Sequence, residues 1–69
     1  MNKNLLKAEI VTKGMTIGQL AEGIGVKESA LYSRLSRSSE KPFTLELASK
    51  VSIFLGLTPE RAFEIFLKP

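Results

Sequence analysis

Five side chains that can donate or accept hydrogen bonds are concentrated in one short stretch of this chain: Lys27, Glu28, Ser29, Tyr32 and Ser33. Residues three or four positions apart lie on the same side of a helix, so the last four of these would form an outward face. Carboxylate and hydroxyl groups arranged in this way can bind the polar groups of a partner.

Catalysis is not expected, because the side chains that carry most of it are missing. The chain contains no His, no Cys and no Asp, and all seven of its acidic residues are Glu. Most nucleophile–base pairs and most metal sites cannot be assembled without these residue types. No Gly-x-Ser-x-Gly motif and no phosphate loop is present. We therefore expect no enzyme, no metal and no cofactor.

Two short helices across a glycine turn would position the polar stretch. Thr16 is a good N-cap for a helix over about residues 17–23, and Gly25 stands where the chain must reverse in a conformation that is costly for other residues. The next helix begins after Val26 and ends at about residue 35 or 36. Its apolar spacing places Leu31 and Leu35 toward the core.

Three further helices complete the predicted fold. Asn2 or Asn4 can cap a first helix that ends near Lys13, before Gly14. Residues 36–43 form a loop, and Thr44 and Gly56 bound a fourth helix. Thr58-Pro59-Glu60 is a strong start for a fifth. No segment alternates with a period of two, so we predict an all-α fold: a compact five-helix bundle, with residues 1–69 as a single domain.

Length, charge and hydropathy indicate the kind of partner and the cellular location to expect. A chain of 69 residues is one domain that buries only about 60% of its unfolded surface, so association with a second copy would add to its stability. The net charge of +3 is compatible with a polyanionic partner but modest. No apolar run approaches the roughly 20 residues of a membrane span, and no signal peptide is visible. We therefore expect a cytoplasmic protein without a membrane partner.

Residues 15–35 resemble the helix-turn-helix of the lambda-repressor-like DNA-binding domains. The resemblance rests on the Leu20-Ala21 pair, on Gly25 and Val26 at the turn, and on Leu31, six residues after the glycine. Members of this family are five-helix bundles whose second and third helices form the DNA-reading unit. The chain is also similar to small Cro-like regulators of temperate phages. The resemblance implies a transcriptional repressor that binds double-stranded operator DNA, as a homodimer at least on DNA.

The family pattern also implies which residues meet DNA. The first residues of the third helix face base edges in this family, which implies that the base-reading residues are Lys27, Glu28, Ser29, Tyr32 and Ser33. The start of the second helix and the loop after the third meet phosphates. The implied phosphate contacts are therefore Thr16, Gln19, Arg37, Ser38 and Lys41. Arg34 is added to these predicted phosphate contacts because its side chain, turned forward, could bind a guanine or a phosphate.

The chain departs from the family pattern at three positions. Ile17 follows the capping threonine, where many members have a Gln that binds a phosphate. Arg34 takes a place that is often apolar, and Glu28 is repelled by phosphates unless it accepts from the amino group of cytosine. Structural roles stay open beside the functional ones. The cations could be a solvated rim, Glu28 could complement the helix dipole, and Tyr32 could pack against the loop.

A protein-interaction module, antirepressor-like or antitoxin-like, is the alternative function, with a repressor protein as the partner. The modest charge, Glu28 and the apolar carboxy-terminal part of the chain favour it. Four Phe residues lie in the last 27 positions, more apolar surface than a short helix pair readily buries. We expect Val51, Leu55 and Phe63 in the core, and Phe66 and Leu67 at a dimer or partner interface.

Overall fold

A computed structural model describes residues 1–36 and 43–68, and this part of the chain is compact and all-helical. It contains α1 (Lys3–Thr12), α2 (Ile17–Ile24), α3 (Glu28–Leu35), α4 (Leu45–Leu55) and α5 (Pro59–Phe66), with no strand in these two ranges. The predicted five-helix bundle is confirmed. Three predicted phosphate contacts lie outside the described residues: Arg37, Ser38 and Lys41.

Side-chain caps start four of the five helices at the predicted residues. Asn2 accepts a hydrogen bond from the Leu5 amide, and Thr44 and Thr58 cap α4 and α5 in the same way. Thr16 and Gln19 form a reciprocal capping box at the start of α2. Each cap pairs an amide that the helix itself leaves without a partner. The starts of these helices are therefore fixed locally by sequence.

The turn between α2 and α3 depends on Gly25. Its φ of 78° lies in the left-handed region, and its amide and that of Val26 donate to carbonyls of the last turn of α2. The helix before it runs to Ile24, slightly beyond the predicted end, because Gly23 does not interrupt it. Gly23 lies under the Phe54 ring of α4, where a β carbon would be 2.5 Å from a ring carbon.

The core joins α2 to its neighbours on both sides. α2 packs against α3 and against α4, and α1 packs against α5. The buried apolar residues come from all five helices and include those predicted in α3 and α4: Leu6, Ile10, Leu20, Ala21, Leu31, Leu35, Leu47, Ala48, Val51, Leu55 and Ile65. Since α3 contributes only Leu31 and Leu35 to this core, its remaining surface is available for other contacts.

The rotation of α5 differs from the prediction. Phe63, expected in the core, is 53% exposed, whereas Ile65 is fully buried. Residues two positions apart lie about 200° apart around a helix, so only one of the two can face the core. Contacts with α1 fix the choice: the Asn2 amide donates to the Ile65 carbonyl at 2.6 Å, and Arg61 pairs with Glu9 at 2.6 Å.

The Arg61–Glu9 pair joins α1 to α5. The hydrogen bond from Arg61 to Glu9 raises the pKa of the guanidinium above its ordinary value. None of the helices in the described ranges has the length and apolar character needed to cross a bilayer.

Candidate nucleic-acid interface

The buried side of α3 determines which of its residues face outward. Leu31 and Leu35 are each about 1% exposed, so the helix is held firmly against the core on that side. Glu28, Ser29 and Tyr32 are exposed, as predicted, and Tyr32 is 62% exposed. Lys27, which is also exposed, precedes the helix at the N-cap position. Ser33 is half-buried rather than fully outward.

The outward surface of α3 has a centre and two edges. The helical period places Ser29 and Ser33 opposite the buried leucines, and we call these two the central stripe. Glu28 and Tyr32 form the first edge, which borders the start of α2 and part of α1. Ala30 and Arg34 form the second edge, which borders α4. A helix in the DNA major groove likewise presents its centre to base edges and its flanks to the two backbones.

Glu28 lies back against α2 instead of extending from α3. A β carbon built on Gly18 would lie 3.1 Å from the carboxyl carbon of Glu28, and one carboxylate oxygen would be closer still. The absence of a side chain at Gly18 therefore makes room for the carboxylate over the first turn of α2. Its negative charge lies beside the positive end of the α2 dipole. Reading a base would require this side chain to rotate away.

Two of the predicted phosphate contacts, Thr16 and Gln19, lie at the start of α2. The side chain of each forms a hydrogen bond with the backbone of the other. The backbone N–H of Gln19 donates to the Thr16 hydroxyl oxygen at 3.1 Å, and the backbone N–H of Thr16 donates to Gln19 Oε1 at 2.9 Å. Both residues are exposed, and these bonds use only their acceptor capacity. The hydroxyl hydrogen of Thr16 and the side-chain NH₂ group of Gln19 form no hydrogen bond with a described residue. Both groups can therefore still donate to a phosphate.

The first edge of α3 borders a notch of about 250 Å³, which we call the α1–α3 notch. It is lined by Lys7, Ile17, Tyr32, Leu35 and Ser36, from three helices and the residue after α3. Beside it, Lys3 donates from Nζ to the Ser36 carbonyl at 2.7 Å. This hydrogen bond places a cation at the carboxy-terminal end of α3, where the dipole favours positive charge.

The second edge borders a shallow groove between α3 and α4. Its polar lining residues are Arg34, Thr44, Glu46 and Lys50, and its volume is about 230 Å³. Lys50 and Glu46 pair at 3.4 Å across one turn of α4 and largely cancel each other's charge. Arg34, one of the predicted phosphate contacts, is half-buried there. This edge is less positive than the number of its cations suggests.

The structure brings most predicted site residues to one face. Lys27, the central stripe, the first edge and Arg34 lie together on α3, and Thr16 and Gln19 lie at the adjacent start of α2. Lys7 and Lys50 border this face as well, but the sequence analysis gave them no role. The four-residue spacing of Lys3 and Lys7 on one helix was a usable signal for a second basic element.

The predicted interface residues of α5 lie on another surface. Phe66 and Leu67 line an apolar groove of about 370 Å³ between α4 and α5, which we call the α4–α5 groove. Leu67 is 66% exposed, whereas Phe66 is half-buried and stacks on Phe43 with ring centroids 5.6 Å apart. None of the described residues that line this groove is charged. The exposed apolar residues that line it are Leu45, Ile53, Phe63 and Leu67.

Within the described ranges, no group of three or more acidic residues is placed to hold a metal ion. The described residues form two candidate binding surfaces, the polar face around α3 and the α4–α5 groove. No protein-family model matches the chain, and no curated protein or solved structure matches it either.

Proposed function

We propose that this protein is a sequence-specific DNA-binding regulator of transcription, a Cro-like repressor that places α3 in the major groove of its operator. One observation supports this most strongly. The central stripe of two serines lies between an edge beside Lys7 and an edge that carries Arg34. Small hydroxyl side chains can approach base edges, and cations on both sides suit the two phosphate backbones.

Ser29 and Ser33 make the base contacts in this proposal. Lys27 and Tyr32 lie beside these two serines and can contact either a base or a phosphate. Thr16 and Gln19 donate to a phosphate from the start of α2, and Arg34 binds the backbone on the other side. Glu28 either contacts cytosine after rotating away from Gly18 or lowers the affinity for every sequence. The Lys27 N-cap adds positive charge at the end of α3 that enters the groove first.

A symmetric homodimer on a two-fold operator completes the proposal. Two copies of α3 would enter successive major grooves about 34 Å apart. The α4–α5 groove is the surface we assign to the contact between copies, with Phe66 and Leu67 in it. Its lack of charged residues suits an apolar partner surface rather than DNA. Such a protein works on cytoplasmic DNA and needs neither a catalytic group nor a cofactor.

The test compares variants on a preferred duplex and on a scrambled one. Ser29→Ala and Ser33→Ala should change the base preference at the positions they contact, each by about 5-fold or more, because a lost base-edge hydrogen bond costs about 1–3 kcal/mol. Thr16→Ala should instead weaken both duplexes by the same factor. Equal weakening of both duplexes by all three variants would contradict base readout by α3.

Binding to another regulator is the second candidate function. Two observations favour it: the extent of the uncharged α4–α5 groove, and the Glu28 carboxylate at the start of α2, which opposes a phosphate there. In this account the chain is an antirepressor-like or antitoxin-like module whose partner is a repressor protein. Mixing with the product of a neighbouring regulator gene tests it. A complex that Leu67→Ser abolishes supports this function, and a mixture without a complex dismisses that partner.

A further inference from the structure

The α1–α3 notch contains a lysine, Lys7, that has no partner among the described residues. Lys7 is half-buried there, and no hydrogen bond or ion pair joins it to any other described residue. A lysine in this position packs its aliphatic stem on the protein and keeps its ammonium group accessible to a ligand. An anion that entered the notch would supply the missing partner.

The other lining residues suit a phosphate. Tyr32 contributes a phenolic hydroxyl, which can donate a hydrogen bond, and it is 62% exposed. None of the described residues that line the notch is acidic, in contrast to the groove on the second edge, where Glu46 pairs with Lys50. A second ammonium group, that of Lys3, lies at the Ser36 carbonyl beside the notch. Glu28, on the same edge of α3, lies against Gly18 and does not line the notch.

We propose that the α1–α3 notch binds a phosphate group, with Lys7 and Tyr32 as its donors. The position of the notch on the first edge of α3 assigns the source: a phosphodiester of the DNA backbone. When the central stripe faces the bases, this edge faces one of the two strands that border the major groove. The inference rests on the proposed function and extends the interface to α1, beyond the helix-turn-helix unit.

The first experiment measures the salt dependence of binding to a preferred duplex. Lys7→Gln should reduce the slope of log K against log salt by about 0.9, the value for one lost phosphate contact, and should leave the base preference unchanged. Lys13→Gln is the matched control, because Lys13 is an exposed lysine that follows the other end of α1. Equal slopes for the two variants would overturn the proposal.

Tyr32→Phe is a second variant that keeps the ring and removes only the hydroxyl. It should weaken binding about 2- to 5-fold on preferred and scrambled duplexes alike, without changing the slope, because no charge is lost. A change in base preference instead would assign Tyr32 to the bases and overturn its role in the notch. Thermal unfolding of each variant verifies that the fold is intact.

A titration with inorganic phosphate separates this inference from the proposed function. If the protein binds no duplex selectively but phosphate shifts the amide signals of Leu35 and Ser36, and Lys7→Gln abolishes the shift, the notch is a site for small phosphates and the assignment to DNA is overturned. If duplex binding is selective and its slope is insensitive to Lys7→Gln, the notch proposal fails while the proposed function stands. If neither ligand responds to Lys7, the notch binds no phosphate.

Discussion

The polar face of α3 and the α4–α5 groove lie on helices that share one core but present opposite chemistry. The central stripe and its edges combine hydroxyl groups with cations from α1, α3 and α4. The part of the α4–α5 groove that the structure describes has no charged side chain and exposes Leu45, Ile53, Phe63 and Leu67. The difference teaches that two surfaces of one small bundle can suit different partners, and the proposed function assigns a polyanion to the first and an apolar protein surface to the second.

The largest effect is expected from the core that both surfaces share. Leu31→Ala should lower the free energy of unfolding by about 2–5 kcal/mol, because it leaves a cavity behind α3. Ile53→Ala, in the exposed wall of the α4–α5 groove, should change it by less than about 0.5 kcal/mol. Urea denaturation measures both. Similar losses of stability for Leu31→Ala and Ile53→Ala would contradict the assignment of Leu31 to the core and of Ile53 to the surface.

A matched pair of glycines sharpens the comparison between the two surfaces. Gly25 and Gly56 end α2 and α4 with φ of 78° and 67°, so alanine at either should cost about 1–2 kcal/mol of stability. Only Gly25→Ala should also weaken DNA binding, because Gly25 sets the angle between α2 and α3. Binding is measured at a temperature where both variants are fully folded. Equal effects on DNA binding would remove the functional distinction between the two turns.

The next prediction concerns the negative charge of Glu28, which lies at the start of α2. Glu28→Gln should raise the affinity for DNA about 5-fold, since a carboxylate about 4 Å from a phosphate costs roughly 1 kcal/mol even in water. Glu22→Gln is the control, because Glu22 is an exposed carboxylate in the later part of α2. Fluorescence anisotropy with labelled duplex measures both. A gain no larger than that of Glu22→Gln would show that Glu28 does not oppose a phosphate.

The smallest effect on stability is expected from a substitution in the α4–α5 groove, which should instead change the association of two copies of the chain. Ile53→Ser should leave the free energy of unfolding of the monomer within about 0.5 kcal/mol but shift the protein toward monomer in sedimentation experiments. Val11→Ser is the control, because Val11 is 74% exposed on α1 and does not line the α4–α5 groove. An unchanged monomer fraction for Ile53→Ser would exclude this groove as the contact between copies.

Local signals in the sequence predicted the helices well. Thr16, Thr44 and Thr58 cap where their spacing predicts, because a cap involves only the three or four residues that follow it. Leu31 and Leu35 face the core for a similar reason, since their spacing matches the helical period. These features required no knowledge of the other helices.

Features that depend on two distant segments could not be predicted in this way. The rotation of α5, which buries Ile65 and exposes Phe63, is determined by contacts with α1 at the other end of the chain. The packing of Glu28 over Gly18 depends on a space between α2 and α3 that exists only in the folded chain. Lys7 meets Tyr32 in the α1–α3 notch for the same reason.

Selection of bound duplexes from a randomised DNA pool, at low and at physiological salt, tests the central claim most directly. We predict an enriched two-fold symmetric site that persists at physiological salt, with half-sites about 34 Å apart. Binding that occurs only at low salt and enriches no sequence would reflect phosphate attraction alone and would contradict base readout by the central stripe of α3.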